Sequence, residues 1–182
     1  DNASRIQTTG NSLQKVLING WNAGAISHHQ LVNNSYLEFI ATETNKSRIA
    51  GLSNSYTGSG MADVKFGIYL QSSGVFNVYE AGVNRGVFGN YAANDTFRVA
   101  VEAGVVKYYK NRIWFYSSNV SMVLPIYASV VLNEMGATVT DAVIYKTTLG
   151  IFTANTVNAG VSPAYQWFLN GSNTGVTLNS YN

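Results

Sequence analysis

The chain has 182 residues, of which 46% are hydrophobic, 13% aromatic and only 11% charged, with a net charge of +2 and no cysteine. Charge so far below the roughly 25% of an average domain, with no run of Lys or Arg, argues against a nucleic-acid partner, and the missing cysteines exclude disulfides and thiolate metal sites. The length holds one domain with a full core, or one domain and a fragment of another, and the excess of Asn, Ser, Thr, Gly and Tyr over strong helix formers favours an all-β fold.

Strand signals run along the chain from "LQKVLI" (13–18) through "YLEFIAT" (36–42) and "SRIAGLS" (47–53). Val64, Phe66, Ile68 and Leu70 then alternate with Lys65, Gly67, Tyr69 and Gln71, the period of two of a half-buried strand. "QSSG" turns the chain into "VFNVYE" (75–80). Next, Phe97, Val99 and Val101 oppose Arg98, Ala100 and Glu102; Ala103-Gly104 leads into "VVKYYK", and Asn111-Arg112 into "IWFYSS". Connections this short make neighbouring strands antiparallel. "LPIYASVVL" (124–132) and "TVTDAVIYK" (138–146) complete the set.

No segment sustains a 3.6-residue apolar stripe, so no long helix is predicted, and "MVLPIYASVVL" is too short and interrupted to span a bilayer. Short strands with polar turns describe a two-sheet sandwich or a barrel, and the even meander favours the sandwich over residues 1–150. The stretch 151–163, low in charge and closed by Pro163, reads as a linker. Residues 164–182 are too few for a core of their own. There Tyr165, Trp167 and Leu169 alternate with Gln166, Phe168 and Asn170, which predicts a strand with Trp167 buried and "NGSNTG" as an exposed turn.

Catalytic signals are weak. A glycosidase needs two carboxylates roughly 5–9.5 Å apart, yet Glu38 and Glu43 differ in strand parity and Glu80 and Glu102 stand alone in their strands. These acids are the residues a minor glycoside-hydrolase reading would use. His28 and His29, expected in a polar loop near Trp21, would diverge on an extended chain and could not share a metal, and no G-x-S-x-G elbow is present. Asp63 and Asp95, at strand starts, could be turn residues or calcium ligands, so no cofactor is predicted and calcium stays open.

Aromatic residues are the most informative group. With Phe66, Ile68, Val99 and Val101 inward, Tyr69, Tyr79, Arg98 and Glu102 face out; in the next hairpin Tyr109 accompanies Lys107 and Trp114 accompanies Tyr116. An outward face of this kind supplies the stacking surface and hydrogen-bonding groups a sugar ring requires. The same residues could equally be cross-strand aromatic pairs that stabilise a sheet. Tyr69, Tyr79, Arg98, Glu102, Tyr109 and Trp114 are therefore the candidate ligand-binding residues.

The block from "LEFIATETNKSRIAGLS" to "VKYYKNRIWFYSS", with its "D-T-F-R-V-A-V" strand, resembles the concanavalin A-like (SPRY/laminin-G-like) jelly-roll modules of bacterial secreted and surface proteins. The pattern usually has Gly after the turn Asn, where this chain has Arg112. "SPAYQWFLNGSNTGV" resembles the opening of Ig-like or PKD-like adhesin repeats. These resemblances imply a module of a longer bacterial surface protein. With the meander, the outward Tyr and Trp set and the absence of paired acids, they lead to the expectation of a non-enzymatic, extracellular carbohydrate-binding or adhesion module that meets a glycan or cell-surface polysaccharide. The alternative is a structural subunit or spacer that docks into neighbouring domains through its C-terminal strands.

Overall fold

A computed structural model describes residues 3–55, 60–146, 152–155, 163–169 and 171–181. The chain separates into two compact units, Asp1–Lys146 and Thr147–Asn182.

The first unit is built from β1 (Ile6–Thr9), β2 (Ser12–Lys15), β3 (Ala23–Leu31), β4 (Ser35–Ile40), β5 (Arg48–Ser53), β6 (Phe66–Leu70) and β7 (Val75–Glu80), followed by β8 (Val83–Asn90), β9 (Thr96–Glu102), β10 (Val105–Lys110), β11 (Ile113–Ser117), β12 (Ile126–Leu132) and β13 (Thr138–Lys146). They form a seven-stranded sheet ordered β1-β2-β13-β4-β9-β10-β11 and a six-stranded sheet ordered β3-β12-β5-β6-β7-β8. Every pairing is antiparallel, which gives the all-β jelly-roll sandwich expected from the alternation pattern.

Alternation decides what each strand buries. Leu37, Phe39, Phe97, Val99 and Val101 from one sheet meet Leu52, Ile68, Leu70, Phe76 and Val78 from the other in a single core. Phe97 stacks on Phe39 of the same sheet at 5.8 Å and is met edge-on across the interface by Phe76 at 5.2 Å. Burial at roughly 25 cal/mol per Å² makes this the main stabilising term.

Three hairpins use two-residue loops, Ala81-Gly82, Ala103-Gly104 and Asn111-Arg112, with φ of 49/81, 49/78 and 51/66°. Positive φ at both positions defines the type I′ turn, whose twist matches that of paired strands. Arg112 therefore occupies the place of a glycine. Asn111 anchors the loop, accepting from the Thr96 amide at 2.8 Å and donating to Asp95 Oδ1 at 2.7 Å.

Some elements depart from the sequence reading. His28 and His29 lie on the strand β3, exposed, and not in a loop. That strand, β1 and β8 went unrecognised because their patterns are broken. β3 carries three consecutive residues, Ser27–His29, opposite Ala128, and β8 contains Gly86 and Gly89 at φ 127 and 136° beside two register shifts.

In the second unit, β14 (Phe152–Thr153) pairs with β17 (Ser180–Tyr181), and β15 (Phe168–Leu169) with β16 (Ser172–Asn173). Tyr165–Trp167 precede the strand instead of forming it, and Ser172–Asn173, expected in the turn, are themselves strand. Trp167 is half-buried, with Nε1 donating to Leu178 O at 2.9 Å. Two short ladders of this kind do not establish an Ig-like repeat.

Candidate functional site

The register of five strands assembles two rows of side chains on the outer face of the seven-stranded sheet. One row runs Val143, Glu38, Arg98, Tyr109, Trp114; the other runs Tyr145, Tyr36, Ala100, Lys107, Ser117. Both follow from strand parity, since Leu37, Phe39, Val99 and Tyr108 between them point into the core.

Arg98 is the centre of this face. Its Nε and Nη2 donate to the same oxygen of Glu38, Oε2, at 3.0 and 2.7 Å. The guanidinium carbon lies 3.7 Å from the centre of the Tyr36 ring and 5.8 Å from that of Tyr109. An ion pair and two ring faces thus fix an otherwise flexible side chain, at about 0.5–1 kcal/mol for each cation–π contact at a partly exposed site. Tyr145 leans on Tyr36 at 5.0 Å and extends the aromatic surface. Among the described residues, Arg98 Nη1, Glu38 Oε1 and the hydroxyls of Tyr36 and Tyr145 have no hydrogen-bond partner.

Glu102 forms a second polar group on the same face. Its carboxylate accepts from Lys107 Nζ at 2.9 Å and from the Tyr109 hydroxyl at 2.7 Å. Partial burial alone would raise the Glu102 pKa, but these hydrogen bonds and the Lys107 charge outweigh it and hold the carboxyl below the ordinary range. Tyr109 responds oppositely. Burial, the hydrogen bond to Glu102 and the Glu102 charge push its hydroxyl up to about 12. The four charges of the face, Glu38, Arg98, Glu102 and Lys107, are all paired within it.

Trp114 joins the face through a bulge. The register shifts between Tyr108 and Tyr109, so Trp114 lies opposite Tyr109 while Phe115 and Tyr116 both pack on the core. Trp114 and Tyr116 do not share a face, contrary to simple alternation. The indole is 57% exposed and held by an Nε1 hydrogen bond to Ser117 Oγ at 3.1 Å.

The other candidates lie elsewhere. Tyr69 and Tyr79 face outward from the six-stranded sheet, on the opposite side of the sandwich from Arg98. They form an edge-to-face row with Trp21, at 5.6 and 5.7 Å, over Ile49, Val64 and Val131. These rings close a small second apolar cluster, so the sequence-predicted set is two groups on two faces. Glu80 points inward and is fully buried, accepting from the Tyr108 hydroxyl at 2.9 Å beside Arg85 Nε at 3.1 Å. Asp95 caps a turn, accepting from the Ala92 amide and pairing with Lys110 Nζ at 2.9 Å, and Asp63 Oδ2 accepts from the Gly60 amide. Among the described residues no group of three His, Cys, Asp or Glu is gathered that could hold a metal ion. Glu38, Tyr36, Tyr145 and Lys107 are members of the face that the candidate ligand-binding set omitted. The parity of Tyr36 with Glu38 was the available signal.

A sandwich with this strand order is a concanavalin A-like jelly roll. Among solved structures the chain is similar to a human SPRY domain (13% identity over 75% of this chain and 93% of that one, TM-score 0.61) and to the TRIM65 PSpry domain (12% identity, 75% and 82%, TM-score 0.58). It is also similar to part of a Trypanosoma rangeli sialidase in complex with sialic acid (14% identity, 80% of this chain and 27% of that one, TM-score 0.53). No protein-family model matches the sequence, and no curated protein does. Identities this low establish the fold and leave function to the site.

Proposed function

We propose that this chain is a non-catalytic, extracellular carbohydrate-binding module that takes neutral glycans on the outer face of the seven-stranded sheet. The observation that carries the reading is the Arg98–Glu38 pair, rigid between Tyr36 and Tyr109 with one donor, Nη1, and one acceptor, Oε1, left over. Adjacent sugar hydroxyls each donate and accept, so a vicinal diol matches such a pair, while Trp114 and Tyr145 offer exposed rings to the C–H faces of a pyranose. Internal pairing of all four charges favours a neutral ligand over a uronate or sialate, which would have to compete for Arg98. Glu38 is tied to Arg98, Glu102 to Lys107 and Tyr109, and Glu80 is buried, which supports binding without hydrolysis. A glycan array carrying neutral and acidic oligosaccharides tests the reading with the wild type and Arg98→Ala. Saturable neutral-glycan binding lost in the variant supports it, and binding restricted to acidic glycans, or none at all, refutes it.

A second reading, a spacer or subunit that assembles through the C-terminal strands, is favoured by the exposure of Phe168, Leu169 and Leu178 at 60, 58 and 69%. Light scattering on the full chain separates it from the first. A monomer at high concentration removes it.

A further inference from the structure

The two sheets part at one edge of the sandwich, where β3 of the six-stranded sheet lies across from the second half of β13. β2 pairs with β13 only at Thr138 and Val139, so among the described residues 143–146 of β13 have no strand neighbour on that side. Each bordering strand is bulged at this point. On β3, Ser27–His29 stand opposite Ala128, with Ser27 Oγ accepting from the Ala128 amide at 3.0 Å and donating to His29 O at 2.7 Å. On β13 the register shifts between Thr140 and Val143, with Asp141 at φ 47° and the Ala142 amide donating to Asn11 O. Paired bulges flare the edge open, and bulges concentrate beside functional sites.

Behind the opening is an apolar cavity of about 170 Å3, lined by Ala25, Ala128, Ala142, Ile26, Leu37 and Ile144 among others. Three of these are alanines, at positions where larger side chains would have filled the space. The volume is close to the roughly 150 Å3 of an apolar cavity that holds benzene. The cavity shares Ala142 and Ile144 with a wider outer space of about 570 Å3 bordered by Asn11, His29, Gln30 and Lys146. Among the described residues Lys146 is the one formally charged residue bordering either space, and neither it nor the His29 ring has a hydrogen bond or ion pair there. Asp141, next to Ala142 in sequence, is exposed and borders neither.

We infer that this opening is a binding site for a small amphipathic carboxylate, whose alkyl chain enters between the sheets and whose head group pairs with Lys146 at the mouth. The site is independent of the Arg98 face. An apolar chamber selects for a chain of a few methylenes, and an unpaired ammonium at its rim selects for an anion.

The test is a methyl-resolved NMR titration of the full chain with sodium octanoate, 1-octanol and octylamine. Saturable shifts at Ala128, Ala142 and Ile144 with octanoate are expected, with octylamine at least about fivefold weaker and Lys146→Glu reversing that order. Ala128→Leu, which fills the chamber, is expected to abolish octanoate binding. Ala142→Leu at a half-exposed position serves the same purpose if the methyl spectrum shows Ala128→Leu to be unfolded. Absence of saturable shifts in the folded wild type, equal affinity for all three probes, or undiminished octanoate binding in the folded Leu variant would each overturn the assignment.

Discussion

Arg112 is held at φ 66° in the second position of a type I′ turn, fully on the surface and without a side-chain partner among the described residues. A Cβ in this region costs about 1–2 kcal/mol, which glycine avoids. Arg112→Gly is expected to raise the urea midpoint by an equivalent of about 0.5–1 kcal/mol, net of the extra freedom of the unfolded chain. An unchanged or lower midpoint would show that the turn is unstrained. The signal in the sequence was Arg112 standing where the resembling modules have Gly, which left a different turn or a strained one open until the φ values chose the latter.

Tyr109 gives a residue-scale prediction in pH. Its hydroxyl is raised from 10.0 to about 12 in the fold, so the stability it contributes is intact below pH 10 and is lost as pH rises from about 10 through 12. Glu102, with its pKa lowered, acts in the opposite window: its contribution is present above the ordinary carboxylate range and lost as pH falls through it. Ultraviolet titration of phenolates should find Tyr109 ionising late in the wild type and closer to 10 in Glu102→Gln, which keeps a hydrogen-bond acceptor but removes the charge. Identical titrations would mean that Glu102 does not control Tyr109. None of this could be read from parity alone, because Glu102 and Tyr109 meet only through the β9–β10 register.

At the scale of elements, β5 and β6 approach so closely that a Cβ on Gly51 would come within 1.9 Å of Phe66 O and 2.7 Å of Gly67 Cα. Backbone cannot yield as a flexible side chain can, so Gly51→Ala is expected to destabilise the fold by about 3 kcal/mol, measured by chemical denaturation. A loss below about 1 kcal/mol would contradict this packing. β6, β7, β9 and β10 were legible because unbroken alternation signals a half-buried strand. β8 was not, because each of its bulges adds one residue and inverts parity, and in β3 two extra residues interrupt the alternation. The bulge in β11 hid part of the site for the same reason, turning Trp114 onto the Arg98 face and Tyr116 onto the core.

At the scale of the molecule, the sandwich in residues 1–146 turns a one-dimensional pattern into two outer faces with different chemistry. The six-stranded sheet spends its outward aromatics, Trp21, Tyr69 and Tyr79, on covering Ile49, Val64 and Val131. The seven-stranded sheet presents a paired Arg98 and Glu38 between rings that stay accessible. Parity distinguishes inward from outward but not one outer face from the other, since that depends on strand order, which here places β4 beside β9 across about sixty intervening residues. The likeness to SPRY domains extends to the fold and does not choose a ligand.

On the proposed function, the Arg98 face, and not the Trp21 face, takes the glycan. A 15N correlation spectrum of the full chain, titrated with the neutral oligosaccharide that binds most tightly on an array, reads both faces at once through Arg98 Nε and the indole Nε1 signals. Saturable movement of Arg98 and Trp114 with Trp21 unmoved is the predicted result. Movement confined to Trp21, or no movement of either indole or of Arg98 at saturating sugar, would contradict it.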